Sequence, residues 1–299
     1  MPARRSIKNP AVLSFAFTPF SEFEFMQRAL VGVIAIALGG GPIGVFLMLR
    51  RMSLTGDAMA HAILPGAAVG YLLAGLSLPA MTIGGLAAGV IVAVAAGLVS
   101  RLTSLKEDAS LAAFYLLSLA LGVTIVSLRG SNIDLLHVLF GTVLALDDNT
   151  LLLLASISTL TVLALAVLYR PLVLECVDPV FLRSVSRAGT PTHLIFLGLV
   201  VMNLVGGFHA LGTLLAVGMM MLPAAAARFW TNDITLMMIV SILVGIASGI
   251  AGLLLSFHAE LPAGPAIILS AGAIYVASLL LGREGGVLWL AWPGKHLEA

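Results

Sequence analysis

Charge is what this chain lacks most. Asp, Glu, Lys and Arg make up 10% of its 299 residues, where a soluble domain carries roughly 25%. So few charges cannot coat a globule, which excludes a soluble enzyme. The 60% of hydrophobic residues excludes a disordered chain. A net charge of +1 provides no basic surface, so no nucleic-acid partner is expected. Cys176 is the one cysteine, which excludes a disulfide framework or a cysteine-based zinc site within one chain. Nucleotide-cradling G-x-x-x-x-G-K-[ST] is absent, as are H-E-x-x-H and G-x-S-x-G. Gly56-Asp57 lacks the earlier glycine of a G-x-G-D intramembrane aspartyl protease.

Long apolar runs are what the chain has instead. Mean hydropathy is +1.13, and Gly contributes 31 residues, a level ordinary where membrane helices pack through small side chains. A helix crossing hydrocarbon needs about 20 apolar residues. Runs meeting that need fall at 28–49, 57–76, 79–100, 109–128, 150–169, 192–208, 210–227, 234–256 and 265–282. The pair within 192–227 is interrupted at Gly206, Gly207 and His209, so eight or nine spans are expected. The expectation is an all-α, polytopic helical membrane protein. The segment 131–146, carrying Asp134 and His137, is too short and polar to span and reads as a re-entrant or interfacial helix. Residues 1–26 read as a surface segment, 27–283 as the membrane domain and 284–299 as a cytoplasmic tail.

Loop charges orient the spans. With loop 170–191 in the cytoplasm, that side holds Arg50, Arg51, Arg101, Lys106, Arg170, Arg183, Arg187, Arg228, Arg283 and Lys295, against Arg129 opposite. Arg4, Arg5, Lys8 and Arg28 fall outside and contradict the rule.

The richest polar motif runs from Arg50 to Gly66. Asp57 and His61, spaced i and i+4, share one helix face. Ser53 or Thr55 is expected to cap that helix. His61 then lies about 12 Å along it from Ser53, near the middle of roughly 30 Å of hydrocarbon. A carboxylate there costs on the order of 2.5–3.5 kcal/mol unless a partner offsets it. The oxygen and nitrogen one turn apart suit a divalent transition ion. They suit equally a simple Asp57–His61 pair. Two ligands are few for one ion; two chains about a two-fold axis would offer four.

Arg50-Arg51-Met52-Ser53, Gly56-Asp57, His61-Ala62, Leu64 and Gly66 together resemble the integral-membrane permease subunits of the bacterial zinc/manganese ABC importers. The likeness covers about 27–283. It recurs in Ile133-Asp134-Leu135 to Gly141, in Gly212-Thr213-Leu214-Leu215 to Arg228, and in Leu261-Pro262-Ala263-Gly264-Pro265. The resemblance implies a type II-like importer permease in the bacterial inner (plasma) membrane. It implies a homodimer that takes zinc or manganese from an extracytoplasmic binding protein and is driven by cytoplasmic ATPase subunits. The permease itself would catalyse nothing and hold no permanent cofactor. Asp57 and His61 are implied to coordinate the passing metal.

Within the cytoplasmic loop, Asp178 can cap a short helix that opens at Pro179 and ends at Gly189. The resemblance implies that this stretch, 171–190, touches the ATPase, with Glu175, Asp178, Pro179 and Arg183 as contacts. His209, His258 and Glu260 fall on the outer side and are candidate hand-over contacts for metal, although interfacial exposure to water is the preferred reading of the histidines. His193 is expected at the cytoplasmic interface, and Asn203 is expected to bond a neighbouring helix. Met219–Met221 point to different helix faces and read as packing. Two rivals remain in view: a proton- or ion-coupled secondary transporter, against which no inverted repeat is evident, and a non-transporting membrane scaffold.

Overall fold

A computed structural model of the chain describes residues 18–75, 77–103, 107–128, 146–178, 181–182 and 189–288. Among them run nine long helices: α1 Glu24–Leu49, α2 Ser53–Ala74, α3 Leu78–Leu102, α4 Glu107–Leu128, α5 Asp148–Val177, α6 Gly189–Leu211, α7 Thr213–Ala227, α8 Ile234–Ala259 and α9 Ala263–Leu281. Each covers all or most of one of the expected apolar runs. Seven helices are long and apolar enough to cross a membrane. The shortest of the nine, α7, has 15 residues and rises only about 22 Å. Gly212, at φ 86°, turns the chain from α6 into α7, a backbone region glycine enters without strain. The chain is thus a multi-pass helical membrane protein, with seven full-length candidate spans and two shorter apolar helices among the described residues. The re-entrant segment at 131–146, with Asp134 and His137, lies outside the described residues except for Leu146.

Helix α1 is the axis of the bundle. It packs against α8, α7 and α5, while α2 packs against α3 and α4. Small residues permit this closeness. A Cβ on Gly44 would run into the carbonyl oxygen of Met220 on α7. Gly66 of α2 and Gly84 of α3 face each other so closely that a Cβ on either would strike the other's carbonyl oxygen. Buried hydroxyls tie the helices without needing water: Ser241 donates to Gly41 O at 3.2 Å and Ser118 to Ala62 O at 3.1 Å.

One end of the bundle gathers the cationic loops. Arg50 after α1 meets Glu175 at the end of α5. Tyr169 of α5 and Thr235 of α8 share a 2.7 Å hydrogen bond. Asn232 before α8 donates to Glu284 after α9 at 2.5 Å. At the other end, Phe23 packs against Phe257, ring centroids 5.4 Å apart and planes tilted by 48°. Arg28 there bonds Glu24 at 2.7 Å and Asp148 at 3.3 Å. Two acids therefore offset Arg28, one of the four cations that break the charge rule. Asp147 caps α5 by accepting from Thr150 N–H at 3.1 Å. Bonding to Thr150 holds its carboxyl below the ordinary carboxylate range. That contribution is present above the usual carboxylate pKa and is lost as pH falls through the lowered one.

Four local expectations need correction. Loop 170–191 is shorter than expected, because α5 continues through Arg170 and Pro171 to Val177. The reason is burial beyond the last cation: Leu172 is fully enclosed. Gly189 is the first residue of α6 and not the end of a loop helix. No side chain caps α2; Met52 occupies the N-cap, and the Thr55 hydroxyl is buried without a hydrogen bond. His193 is buried in the protein and does not sit at an exposed interface.

Substituting Val at Gly84 should destabilise the chain by about 1–3 kcal/mol, because the added methyls meet backbone that cannot swing aside. Gly272→Val is the control, since no atom lies within 4 Å of a Cβ there. Thermal unfolding of the detergent-solubilised proteins should show a clearly lower midpoint for Gly84→Val and little change for Gly272→Val.

Candidate metal path

The corner between α1 and α2 sets the direction of α2, the helix that carries Asp57 and His61. Arg50 N–H bonds Phe46 O at 3.0 Å, Arg51 N–H bonds Met48 O at 3.0 Å, and Met52 N–H bonds Leu47 O at 2.8 Å. Arg51 takes the left-handed conformation at φ 58° to close the turn. Helix α2 then starts at Ser53, and His61 stands about 12 Å along a helix of roughly 33 Å.

The two faces of α2 differ. Met59, Ala60 and Ile63 are buried in the main core with Phe46, Phe196 and Val201. Asp57 and His61 lie on the other side, their side chains 68% and 32% exposed in the single chain. His61 Nε2 is 3.9 Å from Asp57 Oδ1. Two ligands each about 2.1 Å from one ion stand roughly 3–4 Å apart, so the spacing fits shared coordination with only small adjustment. It is too long for a direct hydrogen bond.

Helix α4 forms the opposite wall. The His61 ring stacks on Tyr115, centroids 6.2 Å apart and planes 30° apart. A cleft of about 180 Å³ lies between Leu54, Thr55, Asp57 and Ala58 of α2 and Leu111, Ala112 and Tyr115 of α4. Tyr115 was not anticipated; its only sequence signal is a hydroxyl-bearing ring within an apolar run. His61 Nδ1 is buried and lacks a hydrogen bond, leaving the ring with unused polar capacity. Among the described residues, no group of three or more His, Cys, Asp or Glu side chains is placed to hold an ion. Asp57 and His61 thus stand together without a third such side chain beside them among the described residues.

The sequence model of the ABC 3 transport family matches residues 22–282. The chain belongs to the ABC 3 transport family. It is a membrane permease of an ABC transport system, a transport component and not a catalytic subunit. This ABC 3 permease is 32% identical over 287 residues to the manganese transport system membrane protein MntC of Halalkalibacterium halodurans, covering 96% of this chain and 97% of that one. It is 31% identical over 263 residues to the manganese import system permease protein ScaB of Streptococcus parasanguinis, covering 88% and 92%. Among solved structures it is similar to PsaBC from Streptococcus pneumoniae in complex with Fab. The TM-score is 0.81 at 27% identity, over 94% of this chain and all of that one.

The remaining candidate residues of the ABC 3 permease are dispersed. Glu175 is not offered to a surface partner: its carboxylate is buried, 7% exposed, and lies 3.3 Å from Arg50 Nη2. His193, 3% exposed, lies 4.0 Å from the same carboxylate oxygen and accepts at Nδ1 from Arg50 Nη2, since a guanidinium can only donate. Sequence reading missed this Arg50–Glu175–His193 cluster because its members are distant along the chain. Asp178 caps the turn that follows α5, accepting from Phe181 N–H at 2.8 Å. Pro179 and Arg183 lie outside the described residues. On the outer side, His209 belongs to the last turn of α6, and its side chain lies outside the described residues. His258 donates from Nδ1 to Leu254 O at 2.9 Å. Glu260 closes α8 in the left-handed region, φ 52°.

That left-handed geometry carries strain on the order of 1 kcal/mol for a residue with a Cβ. Glu260→Gly should therefore hold or raise the thermal midpoint, and Glu260→Val should lower it, as measured by unfolding in detergent.

Proposed function

We propose that this chain is the permease subunit of an ATP-driven importer of a divalent metal, with manganese as the favoured cargo. The carrying observation is the Asp57–His61 pair on the uncovered face of α2, its atoms 3.9 Å apart and lacking a third ligand in the described chain. Manganese is favoured because the similar permeases MntC and ScaB are named for it. A carboxylate in the ligand set suits a hard divalent ion. Zinc binds the same donors, and competition between the two ions distinguishes them.

The chain works as a homodimer in this reading. A two-fold axis beside α2 brings two carboxylates and two imidazoles to one ion. The ion's charge offsets the burial of both acids. Tyr115 holds each imidazole against α4 and limits its rotation. Separation of the two α2 helices weakens the site and releases the ion toward the cytoplasm. An extracytoplasmic binding protein supplies the metal, and His209, His258 and Glu260 lie at the end of the bundle where it would dock. Cytoplasmic ATPase subunits dock on the segment after α5, with Asp178, Pro179 and Arg183 as contacts. At the start of that segment Asp178 accepts from Phe181 N–H at 2.8 Å.

Asp57→Ala and His61→Ala should each reduce manganese uptake by the assembled transporter at least tenfold, without altering its elution as an intact complex. Radiolabelled manganese uptake into proteoliposomes, with size-exclusion chromatography of the same samples, tests this. Normal uptake by either variant would refute the site. Uptake by the permease alone, without ATPase subunits, would replace the ATP-driven reading with a secondary transporter. Manganese titration of the purified dimer should give one ion per two chains, and the Asp57→Ala protein should bind at least tenfold more weakly.

A further inference from the structure

We infer that Arg50, Glu175 and His193 form the clamp through which the ATPase-facing segment moves the metal-binding helix. The inference rests on the reading of the segment after α5 as the ATPase contact. Glu175 ends α5, two residues before its last residue, and His193 lies in the opening turns of α6. These two helices bracket that segment. Both ends therefore hold the same side chain, Arg50, through Nη2.

Arg50 is only 9% exposed, and its guanidinium also lies over the Phe196 ring of α6, 5.3 Å from the centroid. Its backbone opens the three-residue corner that leads into α2. Every N–H of that corner is bonded back into α1, so the corner cannot stretch. A displacement of α5 and α6 at this end is passed to Ser53, and from there along α2 to Asp57 and His61. Pulling on Arg50 thus tilts the metal ligands.

The pairing is also incomplete in a way that suits two positions. A saturated Arg–carboxylate pair uses both nitrogens and both oxygens. Here Arg50 Nη1 and Glu175 Oε2 are both buried and neither has a hydrogen bond. A shift of α5 along α1 gives those atoms partners and takes partners from Nη2 and Oε1. The cluster therefore has a second register available. A static strut would be expected to use all four atoms.

The test uses the transporter assembled with its ATPase subunits and binding protein in proteoliposomes, and reads manganese transported per ATP hydrolysed. Arg50→Gln and Glu175→Gln should lower that ratio at least tenfold while manganese affinity stays within twofold of the parent. An unchanged ratio in either variant overturns the clamp. Arg50→Met/Glu175→Met removes both charges, keeps the bulk and tolerates folding, because a buried ion pair is replaceable by apolar residues. If the ratio stays low in this double variant, the clamp stands; recovery of the parental ratio makes the pair a structural strut and overturns it. Should the single variants fail to assemble, the double variant decides. A second reading needs no cargo. Leu54 lines the metal cleft, so Leu54→Cys in a Cys176→Ser background should change its thiol modification rate when ATP is added. Loss of that ATP response in Arg50→Gln supports the clamp even if manganese proves not to be the cargo, and its persistence overturns the clamp.

Discussion

A carboxylate and an imidazole, one turn apart on an uncovered face of a membrane helix, constrain everything else in this molecule. Hydrocarbon does not hydrogen-bond, so such groups must find partners within protein, water or an ion. Asp57 and His61 are too far apart to satisfy each other by a hydrogen bond, and His61 Nδ1 has no partner of its own. The stripe that bears them is the only polar break in α2 beyond its first turn, apart from Tyr71. The rest of the helix exists to hold that stripe at a fixed depth. Its opposite face is locked into the core by Met59 and Ile63 and against α3 through the contact of Gly66 with Gly84.

The polar groups of the bundle divide into two kinds. Ser118, Ser158, Ser241 and Asn203 bond to backbone carbonyls of their own or neighbouring helices and need nothing further. They join helices at the small interaxial distances that glycine and alanine allow. Asp57, His61, Arg50 and Glu175 differ, since they retain buried atoms without hydrogen bonds or exposed ligand atoms. Unused capacity is thus concentrated at the candidate metal path and at the corner leading into it. A transporter must hold its cargo in one state and release it in another, which demands groups whose pairing is not exhausted in either.

Charge placement follows the same economy. The cationic end gathers the loops between α1 and α2, between α5 and α6, and between α7 and α8. Among the described residues, Arg28 at the opposite end is accompanied by Glu24 and Asp148. A cation whose charge is locally neutralised exerts little pull on orientation.

The all-helical multi-pass architecture, the order of the apolar runs and the Asp57–His61 face were legible in the residues alone. Hydrocarbon thickness dictates the length of an apolar run, and the 3.6-residue turn dictates that i and i+4 share a face; both are local rules. The length of α5 was not legible, because Arg170 and Pro171 look like the end of a span. Only the enclosure of Leu172 by other helices extends the helix to Val177. Glu175 likewise reads as a surface acid. Its partner Arg50 is 125 residues away, and Arg50 stands 143 residues from His193. No local pattern encodes that meeting. It arises when the ends of α1, α5 and α6 pack together and must neutralise whatever charge they bury. Periodicity determined which residues share a helix face; packing decided which faces meet.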